Sequence, residues 1–171
     1  SAYQKPVSCE VSGIGMAGFG TVGSGVWKIS SDNGSLITSR SPESLRLEIR
    51  KIAVRDLDKK RDVEAPNELF TKDLTSLVHD PSVDVILELI GGTTAAFDLV
   101  AAALKAGKSV VTGNKALLAE RGQELFALSK KHHTPIHFEA AVAGGIPIIK
   151  GVQDSLIGNQ IQSIAGIING T

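Results

Sequence analysis

The side chains suited to chemistry gather in a few short segments. Gly18-Phe19-Gly20-Thr21-Val22-Gly23 spaces its glycines as a dinucleotide-binding turn does. The first glycine permits a tight turn and the second lets backbone approach a pyrophosphate. The third lets a helix pack closely on a strand, and the free N–H groups at the start of that helix face the phosphates. Lys115 stands in Gly113-Asn114-Lys115, directly after the apolar run Ser109-Val110-Val111-Thr112. A lysine there could pair with a phosphate, or position and protonate a carbonyl oxygen whose charge grows as hydride arrives. The plainer reading is a solvated lysine at a helix start, a position that disfavours positive charge. Glu139 follows His137 by two on an apolar segment, so on a strand both project to one face. A buried carboxylate needs a partner. His137, Lys115 or a cation held with backbone carbonyls would serve. A His/Glu pair alone is too little for a transition-metal site.

The form of the cofactor turns on the next strand. Leu47 to Val54 reads as that strand and ends at Arg55-Asp56. An acidic residue there holds the ribose 2′-OH of NAD, whereas an arginine pairs with the 2′-phosphate of NADP. Neighbours on a strand point opposite ways. Both forms therefore stay open, as does a surface ion pair. The offset from the glycines exceeds the usual ~20 residues, which requires an insertion between them.

The remaining segments are the elements that must position these groups. Val7, Cys9 and Val11 alternate with Ser8, Glu10 and Ser12, the period of a strand. Ile14, Met16 and Ala17 continue it. Gly13-Ile14-Gly15-Met16-Ala17-Gly18 repeats the glycine spacing in an earlier register. The later register is preferred because the helical pattern Val22, Val26, Ile29 begins directly after it. Gly13 and Gly15 then lie in or beside the strand, and Trp27 belongs to core or interface. Residues 30–34 are a turn, residues 58–70 are charged and irregular, and residues 73–78 suit a short helix. Val83 to Ile90 is an apolar run expected of a buried parallel strand, and it ends in Gly91-Gly92-Thr93-Thr94. A helix follows over 95–106 with Phe97, Val100, Ala101 and Leu104 inward, and Gly107 caps it. A strand over 109–112 leads to a helix over 116–131 with Leu118, Leu125 and Leu128 in the core. His132 and His133 close that helix in solvent. A strand over 136–142, a loop at Gly144-Gly145-Ile146-Pro147, a helix over 148–156 and a strand over 161–168 complete the chain. Alternation of strand and helix over the first ~140 residues requires parallel strands with crossover helices, an α/β class.

Composition narrows the function. The 171 residues suffice for one domain, or one domain and part of another. Eighteen basic residues balance 18 acidic ones, and aromatics make up only 4%, so neither a basic stripe nor a stacking platform for nucleic acid is expected. Cys9 is the one cysteine, which excludes an internal disulfide and favours a reducing compartment, the cytoplasm. No apolar run reaches the ~18–20 residues of a membrane span, and no signal-peptide core opens the chain.

Five segments together resemble homoserine dehydrogenase. They are Gly18 to Val26, Glu88-Leu89-Ile90-Gly91-Gly92, Val111 to Ala119, Glu139-Ala140-Ala141-Val142-Ala143-Gly144-Gly145-Ile146-Pro147-Ile148-Ile149, and Gly166 to Thr171. The Glu139 to Ile149 segment and the terminal Asn169-Gly170-Thr171 are the specific ones. Tandem Gly13 and Gly15 depart from the usual aliphatic first strand. The resemblance implies NAD(P)-dependent interconversion of L-homoserine and L-aspartate 4-semialdehyde, a step toward threonine, methionine and isoleucine. It implies a Rossmann-type, mostly parallel sheet with helices on both faces, over residues 1–145. Residues 146–171 would begin a substrate and dimerisation domain whose remainder is absent, the whole protein being a homodimer. Lys115 matches the lysine beside nicotinamide and substrate. Gly18, Phe19, Gly20, Thr21, Val22, Gly23, Gly91, Gly92, Thr93, Gly170 and Thr171 match cofactor positions, and Arg55 matches the position that favours a 2′-phosphate. Glu139 with Val142, Gly144 and Ile146 matches a site for a monovalent cation, sodium in particular. Lacking the following domain, the chain alone is expected to be a poor catalyst. The alternative is a nucleotide-binding module with a regulatory or structural role. An aspartate-semialdehyde type of dehydrogenase would need a nucleophilic cysteine well beyond the glycine turn, and Cys9 is misplaced for that.

Overall fold

The computed structural model describes residues 10–32, 36–37, 45–142 and 144–156. Strand β1 spans Glu10–Ala17 and helix α1 spans Thr21–Asp32. Then come β2 (Leu36–Ile37), β3 (Leu45–Ala53), β4 (Phe70–Thr71), α2 (Thr75–His79), β5 (Val85–Glu88), α3 (Ala95–Lys105), β6 (Ser109–Thr112), α4 (Lys115–Lys131) and β7 (Ile136–Phe138). A last helix, α5, covers 146–156.

Seven strands form one sheet in the order β2-β3-β1-β5-β6-β7. β3, β1, β5, β6 and β7 are mutually parallel. Two short strands share the outer edge of β3. β2 pairs antiparallel with Arg46 and Leu47, and β4 pairs parallel with Ile52 and Ala53. Neither is foreshadowed by a sequence pattern, because two residues carry no period. The register of β1 on β3 slips between Ile14 and Gly15, leaving Arg50 as the extra residue of a bulge.

Two apolar layers sandwich the sheet. Ile14, Met16, Val85, Leu87 and Val111 pack under Val26 of α1 and Ile148, Ile149 and Val152 of α5. Ala17, Ile86 and Val110 pack on the other face, under Leu77 of α2, Leu99, Val100 and Leu104 of α3, and Leu117 and Leu125 of α4. Helices therefore cover both faces of a mostly parallel sheet, the Rossmann-type arrangement expected. Each fully buried Leu, Ile or Val contributes roughly 1.5–3 kcal/mol by leaving water. Gly13 and Gly15 lie within β1 as expected, and close approach explains them. A Cβ on Gly15 would meet Val83 at 2.9 Å, and one on Gly13 would overlap the carbonyl of Ser82.

One core assignment changes. Leu118 is 39% exposed, and Leu117 is buried in its place. Asn114 caps α4 by accepting the N–H of Leu117, which fixes the phase of the first turn. Arg121 then breaks the helical dihedrals, so the phase read backward from Leu125 does not carry through. Trp27 is half-buried on α1 and donates its indole N–H to the carbonyl of Glu64, tethering the loop that follows β3. Among the described residues, no helix is long and apolar enough to cross a membrane.

Candidate functional site

Four turns leave the carboxyl edge of the sheet side by side. Gly18 donates its N–H to Ala53, Leu89 to Ala17, Gly113 to Glu88 and Glu139 to Thr112, at 2.9, 2.9, 3.3 and 2.9 Å. Each ladder thus runs one residue past its strand, and the turns start level. β1 lies between β3 and β5, so the chain leaves it to one side and returns on the other. Open α/β sheets hold ligands at such a switch point.

The first turn has the shape its glycines predict. Gly18 takes φ +99°, and a Cβ there would stand 2.8 Å from the carbonyl of Leu89. Gly23 brings α1 down until its own Cβ position is 2.8 Å from the carbonyl of Gly18. Around Gly20 the space is open, with nothing within 4 Å of a Cβ position. The turn is thus an open cradle, and a side chain at Gly20 would intrude on it. Helical bonding starts when the N–H of Ser24 meets the carbonyl of Gly20, which leaves the first-turn N–H groups of Thr21, Val22 and Gly23 without helical partners. No acidic residue sits in that turn to repel an anion. Phe19 is buried with its ring edge-on to Phe70 at 5.3 Å, which anchors the turn to β4.

A cleft of ≈ 530 Å³ opens beside this cradle. Val22, Leu89, Gly91, Asn114, Lys115 and Val142 are among the residues lining it. Gly91 and Gly92 turn with φ +72° and +71°, and Thr93 leads into α3. Lys115 is exposed as the first residue of α4. The structure thus brings together Val22, Gly91, Lys115 and Val142, which lie far apart in sequence.

A buried polar cluster underlies the cleft. Glu88 ends β5 with no exposed surface. It accepts hydrogen bonds from the Thr112 hydroxyl, the N–H of Ile90 at 3.1 Å and the side-chain amide of Asn114 at 3.5 Å. Burial pushes its carboxyl above the usual range, and these donors pull it back. Asn114 also donates to the carbonyl of Gly92 at 2.6 Å. Sequence reasoning did not single out Glu88 or Asn114 for any role. The available signal is a carboxylate inside an apolar run, three residues before Gly91-Gly92.

The segment after β7 departs from expectation. β7 ends at Phe138, so Ala140 to Val142 are not strand. Three close glycine approaches bend the chain instead. A Cβ on Gly113 would meet that of Ala141 at 2.7 Å, and one on Gly145, at φ +71°, would press Val26 at 2.9 Å. The side chain of Glu139 lies over Gly151 of α5, its Cγ 2.5 Å from the Cβ position. Glu139 is half-buried, and no hydrogen bond joins its carboxylate to His137 or Lys115 among the described residues. Val142 and Gly144 are exposed and Ile146 is 69% exposed, all on the same loop or at the start of α5. No group of three or more His, Cys, Asp or Glu able to hold a metal occurs among the described residues.

Arg55 lies just past the end of β3 and is exposed, as is Asp56, which accepts the N–H of Asp58 at 2.9 Å. β3 stops at Ala53, so both residues belong to a loop and the strand alternation invoked for them does not apply. Asn169, Gly170 and Thr171 fall outside the described residues, as does the strand expected over 161–168.

Comparison with known proteins gives the same reading. Residues 18–139 match the family model described as homoserine dehydrogenase, NAD binding domain. A homoserine dehydrogenase from Neisseria gonorrhoeae is 48% identical over 169 residues, covering 98% of this chain and 37% of the relative. One from Synechocystis is 45% identical over 158 residues, covering 92% and 36%. The crystal structure of a homoserine dehydrogenase from Thiobacillus denitrificans superposes with a TM-score of 0.69 at 39% identity, over 88% of this chain and 34% of that one. A hyperthermophilic archaeal homoserine dehydrogenase, solved in complex with NADPH, gives 0.59 at 25% identity, over 87% and 50%. The chain spans a little over a third of the length of the curated relatives. With the glycine cradle, the sheet order and the matched span in agreement, the chain belongs to the homoserine dehydrogenase family, through its NAD-binding domain.

Proposed function

We propose that this chain is the nucleotide-binding part of an enzyme interconverting L-homoserine and L-aspartate 4-semialdehyde with NADP(H) or NAD(H). The observation that carries the reading is the open cradle at Gly20 beside a cleft that Lys115 lines. When bound, the dinucleotide supplies or accepts the hydride. The residues around it bind and orient. First-turn N–H groups of α1 hold the pyrophosphate, and Gly91, Gly92 and Thr93 shape the far wall. Gly170 and Thr171 complete the cofactor contacts in this reading. Lys115 holds a proton at the substrate's reacting oxygen, where negative charge grows in reduction and an O–H is lost in oxidation. Its exposure in the cleft leaves it free to do so.

The same reading assigns a 2′-phosphate to Arg55 and so favours NADP. The exposed guanidinium at the end of β3 supports this, as does the archaeal relative solved with NADPH. It assigns a sodium ion to the Glu139 carboxylate and the carbonyls of Val142, Gly144 and Ile146. Their nearness along the chain, from the end of β7 to the first residue of α5, supports that site. Residues 1–145 would form the nucleotide domain and residues 146–171 the passage to a substrate and dimerisation domain. The whole protein would act as a cytoplasmic homodimer.

The test of the reading is Lys115→Gln in a protein that includes the substrate domain. Turnover should fall about 10²–10⁴-fold while NADPH affinity changes far less. Unchanged turnover would remove Lys115 from the reaction.

A further inference from the structure

The buried cluster at Glu88 does more than fill the interior. Position 88 ends an apolar strand, and Ile86, two residues earlier on the same face, lies in the hydrophobic layer. A leucine would suit that environment, and a carboxylate there is costly without partners. Every partner Glu88 has is a donor, and each comes from a different part of the cleft floor. The N–H of Ile90 belongs to the turn that carries Gly91 and Gly92. The Thr112 hydroxyl ends β6 and also accepts the N–H of Asn114 at 3.1 Å. The Asn114 amide bridges onward, donating to the carbonyl of Gly92 and accepting the N–H of Leu117 at the head of α4. Lys115 is the next residue.

We propose that Glu88 is a positioning residue for the nicotinamide end of the cleft, fixing the Gly91–Gly92 turn against the head of α4 through Thr112 and Asn114. The inference rests on reading this cleft as the cofactor site. A glutamine at 88 keeps the shape but can accept at only one atom. Its NH₂ group must face either the N–H of Ile90 or the Thr112 hydroxyl, which would have to turn its own O–H away, and in both cases the charge that strengthens these bonds is lost. The two turns then lose their common anchor. The glycine turn before α1 packs on Leu89 and Ile90 at Gly18, but among the described residues it makes no hydrogen bond to Glu88, Thr112 or Asn114.

The test uses this chain and two ligands, NADPH and 2′-phospho-ADP-ribose, which lacks the nicotinamide. Glu88→Gln and Thr112→Val should each weaken NADPH roughly tenfold, the worth of one charge-assisted hydrogen bond, and leave 2′-phospho-ADP-ribose within about twofold. Thr112→Ser restores the hydroxyl and should restore NADPH binding. NADPH affinity unchanged in Glu88→Gln and Thr112→Val overturns the inference. So does an equal loss for both ligands, which would mark a contribution to the fold alone. If the unaltered chain binds neither ligand, the cofactor reading itself fails and the inference falls with it.

Discussion

Residue by residue, the exposed cations have the sharpest consequences. Arg55 is exposed on its loop and β3 has already ended, so its guanidinium can turn toward a phosphate without breaking the sheet. Charge reversal, Arg55→Glu, should weaken NADPH at least tenfold more than NADH, because only NADPH carries the added phosphate. Parallel titrations with the two cofactors check this, and an equal loss for both would remove that role. Glu139 gives the second prediction. Thermal melts of the unaltered chain should shift upward with sodium, because an ion bound only by the folded state stabilises it. Glu139→Ala should abolish the shift, and an undiminished sodium effect would count against the cation site. These single residues are legible because each is a charge at or near the point where an apolar run stops, Arg55 after Ile52-Ala53-Val54 and Glu139 after Phe138. Glu88 interrupts one too. It went unassigned because its partners, Thr112 and Asn114, are close only in space.

At the scale of elements, the three glycines of the first turn do separable work. Gly20 borders open space, so Gly20→Ala should leave stability within ~0.5 kcal/mol while weakening dinucleotide binding tenfold or more. Gly23 meets backbone, so Gly23→Ala should destabilise the fold by about 1–3 kcal/mol, because the carbonyl of Gly18 cannot yield without moving the turn. Melting curves and titrations of the two variants should separate them, and identical behaviour would contradict the geometry. The long elements were readable from period and caps, α3 and β6 nearly to the residue. The short ones were not. β2 and β4 exist because β3 offers an open edge, and that edge is a product of the sheet rather than of the two residues that pair with it. The period alone puts Leu118 in the core, whereas Asn114 sets where α4 begins and Arg121 interrupts it, which turns Leu117 inward instead. The segment 140–142 looked like strand by composition, yet close approach at Gly113 and Gly145 bends it into the cleft wall.

For the whole molecule, the chain folds as a layered sheet whose site lies at one edge, assembled from turns after β1, β3, β5, β6 and β7. The cleft is lined by segments that run from Val22 to Val142, and only the parallel sheet brings them level. Family membership rests on the match over residues 18–139 and on relatives of which this chain spans a little over a third. Binding of the dinucleotide is therefore the part of the chemistry that belongs to this chain, and hydride transfer is proposed for the complete protein. The direct measurement is a calorimetric titration of this chain with NADPH and with NADH. Saturable one-to-one binding, tighter for NADPH, is the expected result. No heat and no saturation with either cofactor, from a chain shown to be folded, would contradict the assignment of the glycine turn and the cleft beside it.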